Sequence, residues 1–569
     1  MTNVYWSEGR VFPKFSKPDC LEVIDLRGMN FFNDTKYISL ITLQGLVNKH
    51  KPRMYIILTD IDDEWLKLIQ KENIPIIKTN LEEAMEKYRN YCKGYVVYDA
   101  KVPDTLNLAN IMSGIHDLIV TSPQNIDWIE SLGFKEFEDL RGKFKSRLEV
   151  YRWAYEELWP KCDHRLLAPM RPYHVYDPPR PMQIAVRDYA TALKLFIHYL
   201  DPYNSEELRL FKNLLKEMPD NSAILGWYEG TEHITVRLAS EYNKFVVVIT
   251  GNPYLVSNLT VWSGIEVETK FKLPPINLSK LGEDKVYVTF YMNDGDNVQW
   301  NFMMKKFWSD PYRGRIPMAW TISPFLIDLA PLVMKYYVDS MSENDTFVSG
   351  PSGTGYWYPN VNPNYVQKFL EIATKYFKRT GLRFTEILGE FLDGRSLIYY
   401  SKRLNLLAIK LGYRGMDIFP YHLNETPVPI VPGTIEFKEG EEESAYNWLK
   451  AIATVYKKRP LHVLIICVPW HFKSLKSMTL LAEKISKDER FILVNFHEFV
   501  AMLNPRYGIE LSRKFLKEAT KRKIPSKIIT EVKYLLEKSE KEYKGKRWNT
   551  ALQRLFEIYK ILKQNLMIK

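Results

Sequence analysis

A chain of 569 residues exceeds what one hydrophobic core organises, so three or four domains are expected. Hydrophobic residues at 46% and charged residues at 26% exclude a disordered or fibrous chain, and no run approaches the ~20 apolar residues that span a bilayer. The net charge of +11 sits in the segment 506–569, where 18 Lys and Arg face 7 Glu; the rest balances at 61 against 61.

The opening residues Met1–Arg10 lack the basic and apolar regions of a signal peptide, so a soluble cytoplasmic protein is expected. Residues 1–145 then alternate apolar runs with helical patterns. Leu21–Leu26, Arg53–Leu58, Ile74–Lys78, Gly94–Asp99 and Asp117–Thr121 read as strands, and Tyr37–Val47 as a helix. That alternation predicts a mostly parallel sheet covered on both faces. No GxGxxG opens a helix, so dinucleotide binding has no support. Residues 146–280 read as a second α/β unit containing the Pro-rich linker Pro169–Pro181, with buried strands at Ser222–Trp227 and Phe245–Thr250.

Residues 281–504 hold eight strand candidates: Val286–Met292, Ile316–Ile322, Thr346–Gly350, Phe384–Leu388, Gly415–Phe419, Val428–Val431, Val463–Val468 and Phe491–Asn495. Helical patterns separate most of them, which predicts a (β/α)8 barrel of the TIM type. In residues 505–569, Leu511, Phe515 and Ala519, then Ile529, Val532 and Leu536, recur at helical spacing. Lysine predominates there with glutamate interspersed, so a solvated helical hairpin docked on the main body is expected, and no nucleic-acid partner. The fold class is therefore α/β, with two smaller α/β units before the barrel and a basic helical tail after it.

Barrel enzymes carry their chemistry just after the strand C-termini. Those positions hold Asp294-Gly-Asp296-Asn297 through Trp300, then Gly353-Thr-Gly-Tyr356-Trp357-Tyr358-Pro359, then Glu390 and Asp393, then Trp470-His471, and last His497-Glu498. Carboxylates flanked by aromatic rings suit a sugar: the carboxylates move protons and balance oxocarbenium charge, while ring faces stack on sugar C–H surfaces. Each also has a structural use. Asp294 suits a turn or helix cap, Glu498 a helix start, and His471 and His497 hydrogen-bonded supports.

The Gly353–Pro359 run matches the signature of the GxGYxYP family, whose members are classed as glycoside hydrolases by inference. Asp294–Trp300, Trp320–Pro324 and Leu43–Asn48 also resemble segments of that family, and the likeness runs from about Val4 to Asn504. The resemblance implies a sugar-processing hydrolase with no assigned catalytic pair. On the residues themselves, Asp296 and Glu390 are the leading catalytic pair, with Asp294 the alternate. Asn297, Trp300, Tyr356, Trp357, Tyr358, Asp393, Trp470, His471, His497 and Glu498 are the expected glycan contacts. A metal-dependent sugar deacetylase would need Asp294, Asp296, His471 and His497 together. No HxxxH or HExxH occurs and the four cysteines form no CxxC pair, so no metal and no cofactor is expected. A non-catalytic carbohydrate-binding or scaffold protein is the remaining alternative; the oligomeric state is not legible.

Overall fold

The computed structural model describes residues 4–294, 297–389, 393–412 and 418–566. A short antiparallel pair, β1 (Val4–Tyr5) and β2 (Lys14–Phe15), opens the chain. β3 (Leu21–Asp25), β4 (Met54–Ile57) and β5 (Ile76–Thr79) then form a parallel sheet in the order β4-β3-β5. β6 (Gly94–Val97), β7 (Leu118–Thr121) and β8 (Glu136–Asp139) form another, in the order β7-β6-β8. The strands expected to share one sheet thus make two. The reason is the helix Lys36–Asn48, which is buried along almost its whole length. Ser39 Oγ donates to the Val120 carbonyl on β7, and Gln44 Nε2 to the Met54 carbonyl on β4, so the helix is a shared core element between the sheets.

Next come β9 (Asp163–Pro169), a hairpin of β10 (Val175–Tyr176) and β11 (Pro179–Arg180) inside the Pro-rich stretch, then β12 (Leu195–His198), β13 (Ala223–Ile224) and β14 (Phe245–Val246). Their parallel sheet runs β12-β9-β13-β14.

The largest sheet contains β15 (Val286–Met292), β16 (Met318–Ile322), β17 (Asp345–Ser349), β18 (Phe384–Ile387), β19 (Ala408–Leu411), β20 (Ile430–Val431), β21 (Ile435–Phe437), β22 (Leu461–Cys467) and β23 (Phe491–Leu493). Every pairing in it is parallel, and its path runs β20-β19-β18-β17-β16-β15-β22-β21. Its two edge strands, β20 and β21, are separated in the chain by only Pro432, Gly433 and Thr434. The sheet therefore curls until both edges belong to one segment, the architecture expected of a TIM-like barrel.

Three details differ from expectation; the first is a ninth strand, β21, which none of the eight candidates covers. The strand that pairs between β18 and β20 is β19, ahead of the expected Gly415–Phe419; residues 413–417 lie outside the described set, and Ile418 and Phe419 form a bend. Lys410 interrupts the apolar run of β19 and hides it. The strand expected as the eighth, β23, pairs only with Val286–Val288, while β16 pairs with Phe290–Met292 of β15. β23 is thus wedged beside the first half of β15, and the residues that follow it start well below the barrel mouth.

One face of this sheet, including Tyr287, Tyr291, Ala319, Val348, Leu464 and Ile466, shares a continuous apolar core with the C-terminal helices. The expected hairpin is three helices, Pro505–Lys521, Ser526–Lys544 and Trp548–Leu566. They bury Ala519, Val532, Leu555, Ile558 and Leu562, and leave Lys514, Lys517, Lys533 and Lys538 in solvent. They close the N-terminal end of the barrel, where a side chain on Gly282 would meet the Lys560 backbone at 2.8 Å and Lys563 pairs with Glu283. Among the described residues no helix is long and apolar enough to cross a membrane.

Candidate functional site

At the C-terminal end of β15 the backbone turns sharply at Asp294, which adopts φ 70°. A non-glycine residue in the left-handed region is held there at a cost, and such strain gathers at functional turns. The Asp294 carbonyl accepts the Asn297 N–H at 3.3 Å, and Asn297 Oδ1 caps the helix Val298–Met303 by accepting the Trp300 N–H at 3.2 Å. Asn297 also bridges to Val248, so this turn is stitched to the edge of the β9–β14 unit. Asp296 and Glu390, the leading pair, lie outside the described residues; in the chain they follow β15 and β18 directly.

Beneath the turn, inside the barrel, lies a polar group that sequence reasoning missed. Lys410 Nζ donates to Glu386 Oε1 at 2.8 Å, to Asn293 Oδ1 at 3.0 Å, and to the Gly412 carbonyl. The Tyr291 hydroxyl donates to Glu386 Oε2 at 3.2 Å, and the ammonium sits 4.6 Å from the Tyr291 ring centre. Burial pushes the Lys410 pKa below its ordinary value; Glu386 and, more weakly, Asp294 oppose that push. A visible signal existed: Glu386 and Lys410 are charged positions in short, otherwise apolar strands.

Above the turn, a cleft of about 510 Å³ separates the barrel mouth from the β9–β14 unit. The barrel contributes Asn297, Gln299 and Trp470; the facing wall carries Tyr199, Trp227 and Tyr254. Trp470 is 51% exposed, a large aromatic surface left open to solvent, and His471 beside it is also exposed. Gln299 fixes the wall by donating to the Ile249 carbonyl and accepting the Asn252 N–H, each at 3.0 Å.

The Gly353–Pro359 loop runs away from this cleft. Tyr356 pairs with Val246 through two backbone hydrogen bonds of 2.8 and 3.0 Å, extending the β9–β14 sheet by one antiparallel bridge. Its hydroxyl donates to Glu232 Oε1 at 2.7 Å; Tyr358 meets His233 Nδ1 at 3.0 Å; Trp357 is fully buried and stacked on Phe369 at 4.7 Å. All three rings are covered by protein, so the expected sugar contacts at Tyr356, Trp357 and Tyr358 are not available to a ligand. The loop clamps the barrel to the preceding unit. Its glycines have matching reasons: Gly353 adopts φ 98°, and a Cβ on Gly355 would sit 2.4 Å from the Phe245 ring. Gly355→Ala is expected to cost about 1–3 kcal/mol by overpacking, read as a lowered midpoint in denaturant unfolding.

Four family models match in succession: "GxGYxYP_N 1st domain" at residues 20–91, "GxGYxYP_N second domain" at 92–162, "GxGYxYP third domain" at 172–264, and "GxGYxYP putative glycoside hydrolase C-terminal domain" at 284–504. The chain belongs to the GxGYxYP family. A crystal structure titled as a putative hydrolase from Bacteroides thetaiotaomicron VPI-5482 shares its fold, with a TM-score of 0.75 and 23% identity over 88% of this chain and 99% of that one. No curated protein matches the chain.

The other expected contacts in this GxGYxYP chain fall outside the cleft or behind its wall. Trp300 is fully buried, 6.4 Å from Trp470, and supports that ring from behind. Asp393 is exposed and caps the helix Gly394–Arg403 by accepting the Ser396 N–H at 2.6 Å. His497 is buried between the Pro274 carbonyl at 2.8 Å and the Tyr507 hydroxyl at 2.7 Å, and burial pushes its pKa down to about 4. Glu498 accepts the N–H groups of Asn277 and Asn495, each at 3.0 Å, in a helix-capping box. The offset of β23 places these last two beneath the mouth, against the tail. Among the described residues no cluster of three or more His, Cys, Asp or Glu is placed to hold a metal ion.

Proposed function

We propose that this protein hydrolyses a glycan in the cleft between the barrel mouth and the β9–β14 unit. The observation that carries the reading is an exposed Trp470 beside the strained Asp294–Asn297 turn, in a cleft with further aromatic rings and amides. Aromatic faces with a few fixed polar groups are the surface that a sugar's mixed C–H and hydroxyl faces require. Asp296 and Glu390 are the proposed acid/base pair, with Asp294 as alternate. One carboxyl protonates the glycosidic oxygen; the other acts as a nucleophile or activates water as the oxocarbenium charge develops. Asn297, Trp470 and His471 are the proposed contacts. Glu386 and Lys410 are positioning residues, since their hydrogen bonds hold Asn293 next to the turn.

Trp470→Ala removes a half-exposed ring and leaves the core intact. It is expected to weaken affinity for a hydrolysed oligosaccharide roughly tenfold, since aromatic pairs contribute about 0.5–1.5 kcal/mol beyond the area they bury. Isothermal titration across a panel of neutral and acidic oligosaccharides measures this. Turnover is expected to survive a chelator. Collapse with chelator and return with zinc would instead assign a metal-dependent deacetylase. Sugar binding without turnover of any glycoside or acetylated sugar would assign a carbohydrate-binding protein.

A further inference from the structure

The β9–β14 wall of this cleft, opposite the carboxylates proposed at the barrel mouth, carries a charge imbalance that bears on what kind of sugar enters; the inference rests on the glycan reading above. Its wall from the β9–β14 unit presents two guanidiniums, Arg171 and Arg180, and among the described lining residues a single carboxylate, Glu229. Arg171 is only 8% exposed; its Nη1 lies 3.3 Å from Glu229 Oε2, and its Nη2 donates to the Pro181 carbonyl at 2.8 Å. Arg180 pairs with the other oxygen, Glu229 Oε1. One negative charge is thus divided between two positive ones, and the Nε–H of each arginine is buried with no acceptor among the described residues. Those two Nε–H groups are closed to a ligand; what the wall offers an incoming oxyanion is the uncancelled positive charge of the pair, carried by the half-exposed Arg180 guanidinium.

The presentation is also rigid. Arg180 lies on β11, with Pro178 and Pro179 before it and Pro181 after it. Three pyrrolidine rings restrict the backbone around that one side chain, which limits the ordering cost of binding. An arginine fork offers two parallel N–H donors spaced for a carboxylate or a sulfate. Across the cleft, Trp470 supplies the stacking face.

We infer that the glycan bound here is anionic, bearing a uronate carboxylate or a sulfate ester seated against Arg171 and Arg180 while its ring stacks on Trp470.

The test measures affinity of the full chain for galacturonate, glucuronate and mannuronate trisaccharides, each beside its carboxyl-reduced neutral counterpart, with sulfated galactose oligosaccharides as a separate arm. An acidic or sulfated sugar is expected to bind about tenfold or more tightly than its neutral partner, because ionised hydrogen bonds are roughly twice as strong as neutral ones. That preference is expected to shrink with added salt, which screens charges beyond about 8–10 Å. Arg180→Gln, at a side chain 40% exposed, should abolish the preference, and Arg180→Lys should keep part of it. Trp470→Ala should weaken charged and neutral sugars by the same factor. Preference for carboxylates alone, or for sulfates alone, identifies the group. Neutral sugars that bind as tightly as acidic ones overturn the inference and leave the glycan site standing. If no sugar of either kind binds, both readings fall.

Discussion

Asp296→Asn and Glu390→Gln are each expected to lower the turnover of a bound glycan by ~10²–10⁴-fold and to leave its affinity near the wild-type value. The substitutions keep the size and most of the hydrogen bonding of the side chain. What they remove is the proton or the charge that cleavage of a glycosidic bond requires. The proposed ring stacking on Trp470 and amide contacts of Asn297 are untouched by these substitutions, so binding and catalysis are expected to separate. Rates under saturating substrate, set beside dissociation constants from titration, are the measurement. If both variants turn over at the wild-type rate, the acid and base are elsewhere. Asp294, whose carbonyl closes the turn to Asn297, is then the next residue to change.

Lys410→Met is expected to destabilise the fold by about 3–5 kcal/mol, the range for leaving one partner of a buried ion pair without its countercharge. Both side chains are essentially inaccessible to solvent, at 0% for Lys410 and 4% for Glu386. Removing the ammonium strips Glu386 of its 2.8 Å partner and frees the Asn293 side chain. The double variant with Glu386→Gln removes the orphaned charge and should recover most of the loss, a coupling that chemical denaturation measures directly. If the single and double variants are equally unstable, the pair does not act as a unit. Because Asn293 adjoins the Asp294 turn, the double variant is also expected to fold with impaired turnover.

The barrel was legible wherever a strand is buried on both faces, because such strands read as unbroken apolar runs; Val286–Met292 is one, and every residue of it is buried. β19 was not, because the buried ammonium of Lys410 is neutralised by Glu386, a partner on the neighbouring strand that no local pattern announces. The mouth residues were partly legible. Trp470 and Asn297 line the cleft, as residues after strand C-termini should. In the sequence, Tyr356, Trp357 and Tyr358 suit a sugar platform, as three aromatic rings in one loop do. What covers them is Phe369 and the Glu232 and His233 side chains, and a single sequence gives no sign that those residues approach. His497 and Glu498 were misplaced by one geometric fact, the pairing of β23 with the lower half of β15. The arginine pair escaped notice because a Pro-rich stretch reads as a linker, whereas here it folds into a hairpin that forms a wall.

The place of β15 between distant partners bears on how the molecule is expected to assemble. Val286 pairs with Leu461 on one side and Phe491 on the other, so the barrel's first strand is completed only by segments far along the chain. The smaller sheets pair nearer neighbours, such as Glu22 with Met54 and Gly94 with Leu118. Loop-closure entropy is lower for those contacts, and folds dominated by long-range pairing form more slowly. The N-terminal units are thus the natural early folders. Before β22 pairs with it, β15 would present an unpaired hydrophobic edge, so closure of the barrel is expected to be slower than pairing within the smaller sheets and to be the stage most exposed to aggregation.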